Sequence, residues 1–167
     1  MQAFLSGGPV MYVLLVLSVV AVSLILYAVR ALRTMRTEPG MWLDDAFGFL
    51  ERLKQMEEQD SSALAIQAIE RACFRVHSAI LWLSRLAGMA TLLGLLGTVL
   101  GISEAFADMQ RQGQAGPEVF AAGIYQALHT TIAGLILALP FLLAHHLLKD
   151  SLAVRQLDLL MGLQQKK

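Results

Sequence analysis

Polar side chains inside long apolar stretches are the residues of this 167-residue chain that could do chemistry. Thr98 and Thr131 lie near the middle of two such stretches, and Gln126 and His129 share a face of the second. An ionisable group within a membrane is a functional candidate, and a threonine hydroxyl can line a water path or bond a carboxylate. The structural alternatives are a hydroxyl bonded to the carbonyl four residues earlier and a neutral histidine bonded between helices. The residues alone leave both interpretations open.

Acidic side chains are absent from the centre of these stretches, and the nearest one, Glu104, lies close to the predicted outer end. A proton path through a membrane needs a group that titrates within it. If this chain conducts protons, we therefore expect a partner to supply the acid.

The sequence predicts neither an enzyme nor a site for a cofactor or a metal. It has no recognisable nucleophile–base set, phosphate-binding loop or cluster of metal ligands. His145 and His146 precede Lys149 and are expected to be structural residues at the membrane interface, and Cys73 is expected to be a small core residue. We expect no nucleic-acid partner.

Three stretches without Asp, Glu, Lys or Arg explain the 56% hydrophobic composition: residues 10–29, 86–103 and 119–148. About 20 apolar residues in a helix cross the bilayer, and a helix satisfies its backbone groups internally. The sequence therefore predicts an all-α membrane protein with three transmembrane helices, at residues 10–29, 86–107 and 119–148.

The basic residues are distributed unequally between the two sides of these helices. Of the 13 Lys and Arg residues, only Arg111 lies between the second and third helices. The positive-inside rule then predicts a periplasmic N-terminus (residues 1–9) and a periplasmic loop (residues 108–118). Residues 30–85 and the tail at 149–167 are predicted to be cytoplasmic.

Apolar residues recur at spacings of three and four through the predicted cytoplasmic region, as in amphipathic helices. They are Leu43, Phe47, Leu50, Leu53 and Met56, followed by Ile66, Ile69, Cys73, Val76, Ile80 and Leu83. Because nothing interrupts the second series before the next apolar stretch, we predict one helix from about residue 62 to about residue 107. The region is too short for a separate globular domain, so it is predicted to form long helical extensions of the membrane bundle.

Small residues form a stripe along each of the last two membrane helices. The stripes contain Gly94, Gly97 and Gly101 in the second helix and Gly123 and Gly134 in the third. Stripes of this kind let helix backbones approach closely, either within one subunit or around a pore or a partner. Pro140 is predicted to kink the third helix.

Two segments resemble the signatures of a known family. Residues 93–102 (LGLLGTVLGI), followed by Phe106, resemble the LGLLGTVxGxxxxF signature of the MotA/TolQ/ExbB proton-channel family. Residues 123–140 (GIYQALHTTIAGLILALP) are similar to its GIxxALxxTxxGLxxAxP signature. The layout of three helices with the N-terminus outside is similar to that of the TolQ and ExbB branch.

The resemblance implies a subunit of a motor driven by the proton motive force in the bacterial inner membrane. Five copies would surround a dimer of ExbD/TolR-like single-span partners, each with an intramembrane Asp, and Thr98 and Thr131 would flank that Asp in the pore. Inward proton flow would deliver work to a TonB/TolA-like or other periplasm-spanning protein. Gln126, where TolQ and ExbB commonly have Glu, and His129, where they usually have an apolar residue, would line the proton path with the two threonines. The alternative is a structural membrane ring of the same fold that does not conduct.

Overall fold

The computed structural model describes residues 8–54, 61–112 and 117–165, and these residues form four helices. They are α1 (Gly8–Thr37), α2 (Pro39–Lys54), α3 (Ser61–Gln112) and α4 (Pro117–Gln165). Residues 1–7 of the predicted N-terminal segment and residues 113–116 of the predicted loop lie outside the described residues.

Three helices contain segments long and apolar enough to cross a membrane. These segments are Pro9–Thr37, Leu64–Arg111 and Gly123–Gly162. By length and composition, the prediction of an all-α chain with three membrane-spanning helices is confirmed.

The helix boundaries follow from the local sequence. α1 ends at Thr37, and the amide of Glu38 donates a hydrogen bond to the carbonyl of Thr34 at 2.8 Å. Pro39 and Pro117 begin α2 and α4, because proline at the first helical position loses no intrahelical hydrogen bond. α3 has no such interruption, and its bounds agree with the single long helix predicted for residues 62–107.

The chain divides into two compact units, and α1, α3 and α4 contribute residues to both. The first unit contains the described residues of Met1–Ser23 together with Leu83–Leu143. The second contains Leu24–Trp82 together with the described residues of Ala144–Lys167.

In the first unit, the core is built from residues spaced three and four apart. Leu14, Leu17 and Ala21 are buried on α1, and Ala87 and Ala90 on α3. The surface of this unit is strongly apolar, because each of its helices has large apolar side chains that are exposed. A surface of this kind fits contact with lipid or with further protein.

In the second unit, Cys73, Val76 and Ile80 of α3 are buried, as are Leu152 and Leu159 of α4. The apolar face predicted for α3 is therefore buried from Ile69 onward.

At the start of that face the prediction was wrong, because Ile66 is 48% exposed whereas Leu64 and Ala68 are buried. Leu64 and Ala68 are four residues apart and share the buried face. Ile66 lies two residues after Leu64, about 200° around the helix, and therefore points away from that face. The side chains of Leu53, Met56 and the last residues of α4 lie outside the described part.

Candidate functional site

In the first unit, α3 and α4 approach each other closely along their small residues. A Cβ atom added to Gly134 would lie 2.5 Å from the carbonyl oxygen of Ala90 and 3.0 Å from the Cα of Gly94. A Cβ atom added to Gly101 would lie 2.8 Å from the Cβ of Ala127. Because two of these neighbours are backbone atoms, the approach requires the absence of a side chain on α4 at Gly134.

Further contacts between α3 and α4 follow the two chains in opposite order. A Cβ atom on Gly97 would lie 2.5 Å from the Oγ1 of Thr130, and one on Gly123 would lie 2.5 Å from the Cβ of Ala105. The helices are therefore antiparallel along this contact. Pro140 lies on an exposed side of α4, and the helix continues through it from Pro117 to Gln165.

A cluster of threonine hydroxyls lies within this close contact. Thr98 on α3 and Thr131 on α4 hydrogen-bond each other. The hydroxyl of Thr131 also donates to the carbonyl oxygen of Gly94 at 3.0 Å, and that of Thr98 lies within donating distance of the same oxygen at 3.2 Å. The structure therefore brings these two predicted site residues together between the helices, where both are half-buried.

This arrangement leaves the pair with acceptor capacity. Each hydroxyl has one proton, and when Thr131 donates to the Gly94 carbonyl oxygen, Thr98 supplies the proton of the bond between the two hydroxyls. A hydroxyl oxygen has two lone pairs and can rotate its proton, so it can accept from one partner and donate to another. The pair can thus bond a carboxylic acid in either protonation state.

Thr130 belongs to this cluster, although the sequence analysis did not identify it. It is 2% exposed, and its hydroxyl lies 2.7 Å from the carbonyl oxygen of Ala127 and 3.1 Å from that of Gly94. Its position next to Thr131 was the available signal. The bond to Gly94 depends on the rotation of α4 against α3, which sequence spacing does not specify.

His129 does not join the threonine cluster of its own chain. Its Nδ1 lies 2.8 Å from the carbonyl oxygen of Tyr125, and the two rings meet edge to face with centroids 4.5 Å apart. Because a carbonyl only accepts, Nδ1 carries the proton of this bond. In the neutral ring, Nε2 then has a free lone pair.

Gln126 and Glu104, the remaining polar candidates, supply no acid near the centre of the apolar helices. The side chain of Gln126 lies outside the described part, and Glu104 is exposed on α3. Among the described residues, no group of His, Cys, Asp or Glu has the proximity needed to hold a metal ion.

His145 lies in the second unit and has a packing partner. It is 7% exposed, and its Nδ1 bonds the carbonyl oxygen of Ile80 on α3 at 2.8 Å. Its ring also meets that of His146 edge to face. These contacts fit the structural role expected for His145.

The second unit also has an open cleft of about 1090 Å³ that the sequence analysis did not anticipate. Arg71 lines it, with its guanidinium 4.5 Å from the centroid of the Phe49 ring. The other lining residues combine aromatic side chains with both signs of charge: Tyr27, Trp42, Asp45, Glu70, Phe74 and Arg75.

The profile of the MotA/TolQ/ExbB proton channel family matches residues 44–160, which is more than half of the chain and contains the whole threonine cluster. The chain belongs to the MotA/TolQ/ExbB proton channel family. The resemblance inferred from the sequence is confirmed.

Relatives within this family carry the names of both the ExbB and the TolQ branches. The biopolymer transport protein exbB1 of Vibrio cholerae is 42% identical over 65 residues, which cover 38% of this chain and 28% of that protein. The Tol-Pal system protein TolQ of Haemophilus influenzae is 32% identical over 108 residues, covering 59% and 47%. The biopolymer transport protein ExbB of Neisseria gonorrhoeae is 35% identical over 77 residues, covering 46% and 35%. The chain thus spans less than half the length of these MotA/TolQ/ExbB relatives.

Proposed function

We propose that this chain is an ExbB/TolQ-like subunit of a motor driven by the proton motive force in the bacterial inner membrane. Copies of the chain, five by the family resemblance, form a ring around a dimer of ExbD/TolR-like single-span partners. Each partner carries an intramembrane Asp. Inward proton flow moves the partners relative to the ring and delivers work to a TonB/TolA-like or other periplasm-spanning protein.

The observation that carries this proposal is the Thr98–Thr131 pair on the Gly94 carbonyl. The pair is half-buried within apolar helices that contain no Asp or Glu near their centres. Hydroxyl groups accept a hydrogen bond from a protonated acid and donate one to its ionised form. They therefore stabilise both states of an acid that a partner brings, which is what a proton-carrying step requires.

The proposed topology follows from charge. With the N-terminus in the periplasm, residues 30–85 and 149–167 lie in the cytoplasm and hold every Lys and Arg except Arg111. Thr98 and Thr131 then line the pore, and Gln126 occupies the position where the family commonly has Glu.

A second candidate is a structural ring that does not conduct. The threonine protons already have acceptors within the cluster, namely the Gly94 carbonyl oxygen and the other hydroxyl of the pair. In addition, Gln126 cannot titrate. These two observations support a role of the cluster in packing alone.

Native mass spectrometry of the complex, extracted gently from its own membrane, separates the two candidates. The motor proposal expects a ring of this chain with two copies of a single-span protein that carries an intramembrane Asp. A ring without such a partner would favour the scaffold, because no carboxylate would then lie in the pore.

A further inference from the structure

Thr131 and His129 project to opposite sides of α4. Two residues along a helix are separated by about 200° of rotation. Thr131 faces α3, where it bonds the carbonyl of Gly94, whereas the ring of His129 folds back onto its own helix at Tyr125. A single copy therefore cannot bring His129 to its own threonine pair.

The side of α4 that carries His129 is open in the single chain. Tyr125, Ile132 and Ile136 are 68%, 51% and 64% exposed. No described residue bonds the Nε2 atom of His129. A polar ring in the middle of an apolar stretch is costly against hydrocarbon, so this side of the helix fits contact with protein better than contact with lipid.

A ring supplies that protein in the form of a second copy. In a ring of more than two copies each contact is heterologous, so one face of every copy meets a different face of the next. All copies in a membrane ring also share the same depth. Because Thr131 is two residues from His129, the two lie within about 3 Å of each other in depth.

The two faces are also complementary in hydrogen bonding. One proton of the Thr98–Thr131 pair lies in the bond between the two hydroxyls and the other is directed at Gly94, so the pair keeps oxygen lone pairs for a donor. A protonated histidine presents Nε2–H as that donor. The neutral ring presents a lone pair that a rotated hydroxyl can bond.

We propose that His129 of one copy packs against the Thr98–Thr131 pair of the next copy. Each subunit interface of the ring then holds an imidazole whose Nε2 faces the hydroxyls that bond the partner's acid. This inference rests on the ring of the proposed function, and it adds a residue contributed by the neighbouring copy to each site.

Cysteine cross-linking tests this contact in the intact complex. With Cys73 replaced by Ala, the variant His129→Cys/Thr98→Cys is treated with a short thiol-to-thiol cross-linker in the membrane. Because the contact is heterologous, we expect a ladder of cross-linked copies on a denaturing gel. Co-expressing copies that carry only His129→Cys with copies that carry only Thr98→Cys should limit the product to dimers.

The matched control is Leu128→Cys with Thr98→Cys. Leu128 is 49% exposed at nearly the same depth as His129, but lies about 100° around the helix. We expect little or no ladder from this pair. A ladder that is equally strong at position 128, or absent at position 129, would overturn the proposed contact.

Assembly is measured on the same samples by native mass spectrometry. An assembled ring without the ladder at position 129 refutes this contact and leaves the motor proposal standing. A complex with no ring at all refutes both. Should Thr98→Cys weaken assembly, Thr131→Cys provides the second anchor on the same face.

Discussion

The carbonyl oxygen of Gly94 accepts from both helices. Thr98 reaches it from the same helix at 3.2 Å, and Thr130 and Thr131 reach it from α4 at 3.1 and 3.0 Å. A threonine in a membrane helix commonly bonds only a carbonyl of its own helix. Here the hydroxyls also tie two helices together at the glycine that permits their close approach.

We predict that Thr131→Val strongly reduces proton flux while the complex still assembles. The change removes one hydroxyl and little volume, and a hydrogen bond to a charged group contributes about 1.5–3 kcal/mol, so a loss of about tenfold or more is expected. Proton flux is measured in proteoliposomes that contain the chain with its partner. Thr131→Ser keeps the hydroxyl and should retain most of the activity, whereas wild-type flux in the valine variant would remove Thr131 from the pathway.

We predict that Gly94→Ala destabilises the packing of α3 against α4. The new Cβ would lie 2.9 Å from the carbonyl oxygen of Thr130 and 3.1 Å from the Cα of Thr131, and backbone atoms cannot move aside locally. Overpacking of this kind costs about 1–3 kcal/mol.

The matched control for this change is Gly88→Ala on the same helix, because a Cβ there meets nothing within 4 Å. Denaturant titration in detergent should show a lower midpoint for the Gly94 variant alone. Equal midpoints would show that the helices can separate at Gly94 without cost.

Sequence reasoning identified most of the residues of this cluster but not their bonds. The two family signatures select Thr98, Thr131 and Gly94 directly. Thr130 falls on a position that the second signature leaves unspecified, and its burial follows only from the rotation of α4 against α3. The opposite orientation of His129 and Thr131 follows from helix geometry alone, although their proximity in sequence obscured it.

At the scale of the elements, α3 is the longest helix, and it runs from Ser61 to Gln112 without a break. At about 1.5 Å per residue it is close to 78 Å long. This helix was predictable because its apolar residues keep one spacing throughout and neither proline nor a polar cluster interrupts them. Its first turns were harder to assign, since alanine and leucine rather than the more conspicuous Ile66 face the core.

We predict that Cys73 reacts slowly with maleimides in the folded protein. Its side chain is fully buried in the second unit, so labelling requires local opening of the packed helices. The reaction is followed by mass spectrometry in detergent, before and after denaturation.

The control places a thiol one residue further along α3. In a Cys73→Ala background, Phe74→Cys should label about tenfold faster or more, because Phe74 is 66% exposed. Similar rates at the two positions would contradict the packing of the second unit.

At the scale of the whole molecule, the chain has no net charge, with 13 basic and 13 acidic residues. The orientation of the chain in the membrane is predicted from the distribution of the basic residues and not from their sum. Arg30, Arg33 and Arg36 follow the first apolar stretch immediately, which is where the positive-inside rule acts most strongly.

We predict that the two ends of the chain lie on opposite sides of the membrane. In a Cys73→Ala background, a cysteine at Gln2 should react with a membrane-impermeant thiol reagent in cells whose outer membrane is permeabilised. A cysteine at Gln165 should react only after the inner membrane is also opened. Labelling of Gln165→Cys in intact spheroplasts would reverse the proposed orientation.

The run of close contacts between α3 and α4 constrains how the chain can change during evolution. One residue inserted between Gly94 and Gly101 rotates everything beyond it by about 100° and moves it by about 1.5 Å, so the glycines on the two sides of the insertion no longer face α4 together. Seven inserted residues nearly restore the rotation but lengthen only one of the two helices. Viable insertions and deletions should therefore be concentrated outside this contact, and the paired segments of α3 and α4 should change length only together.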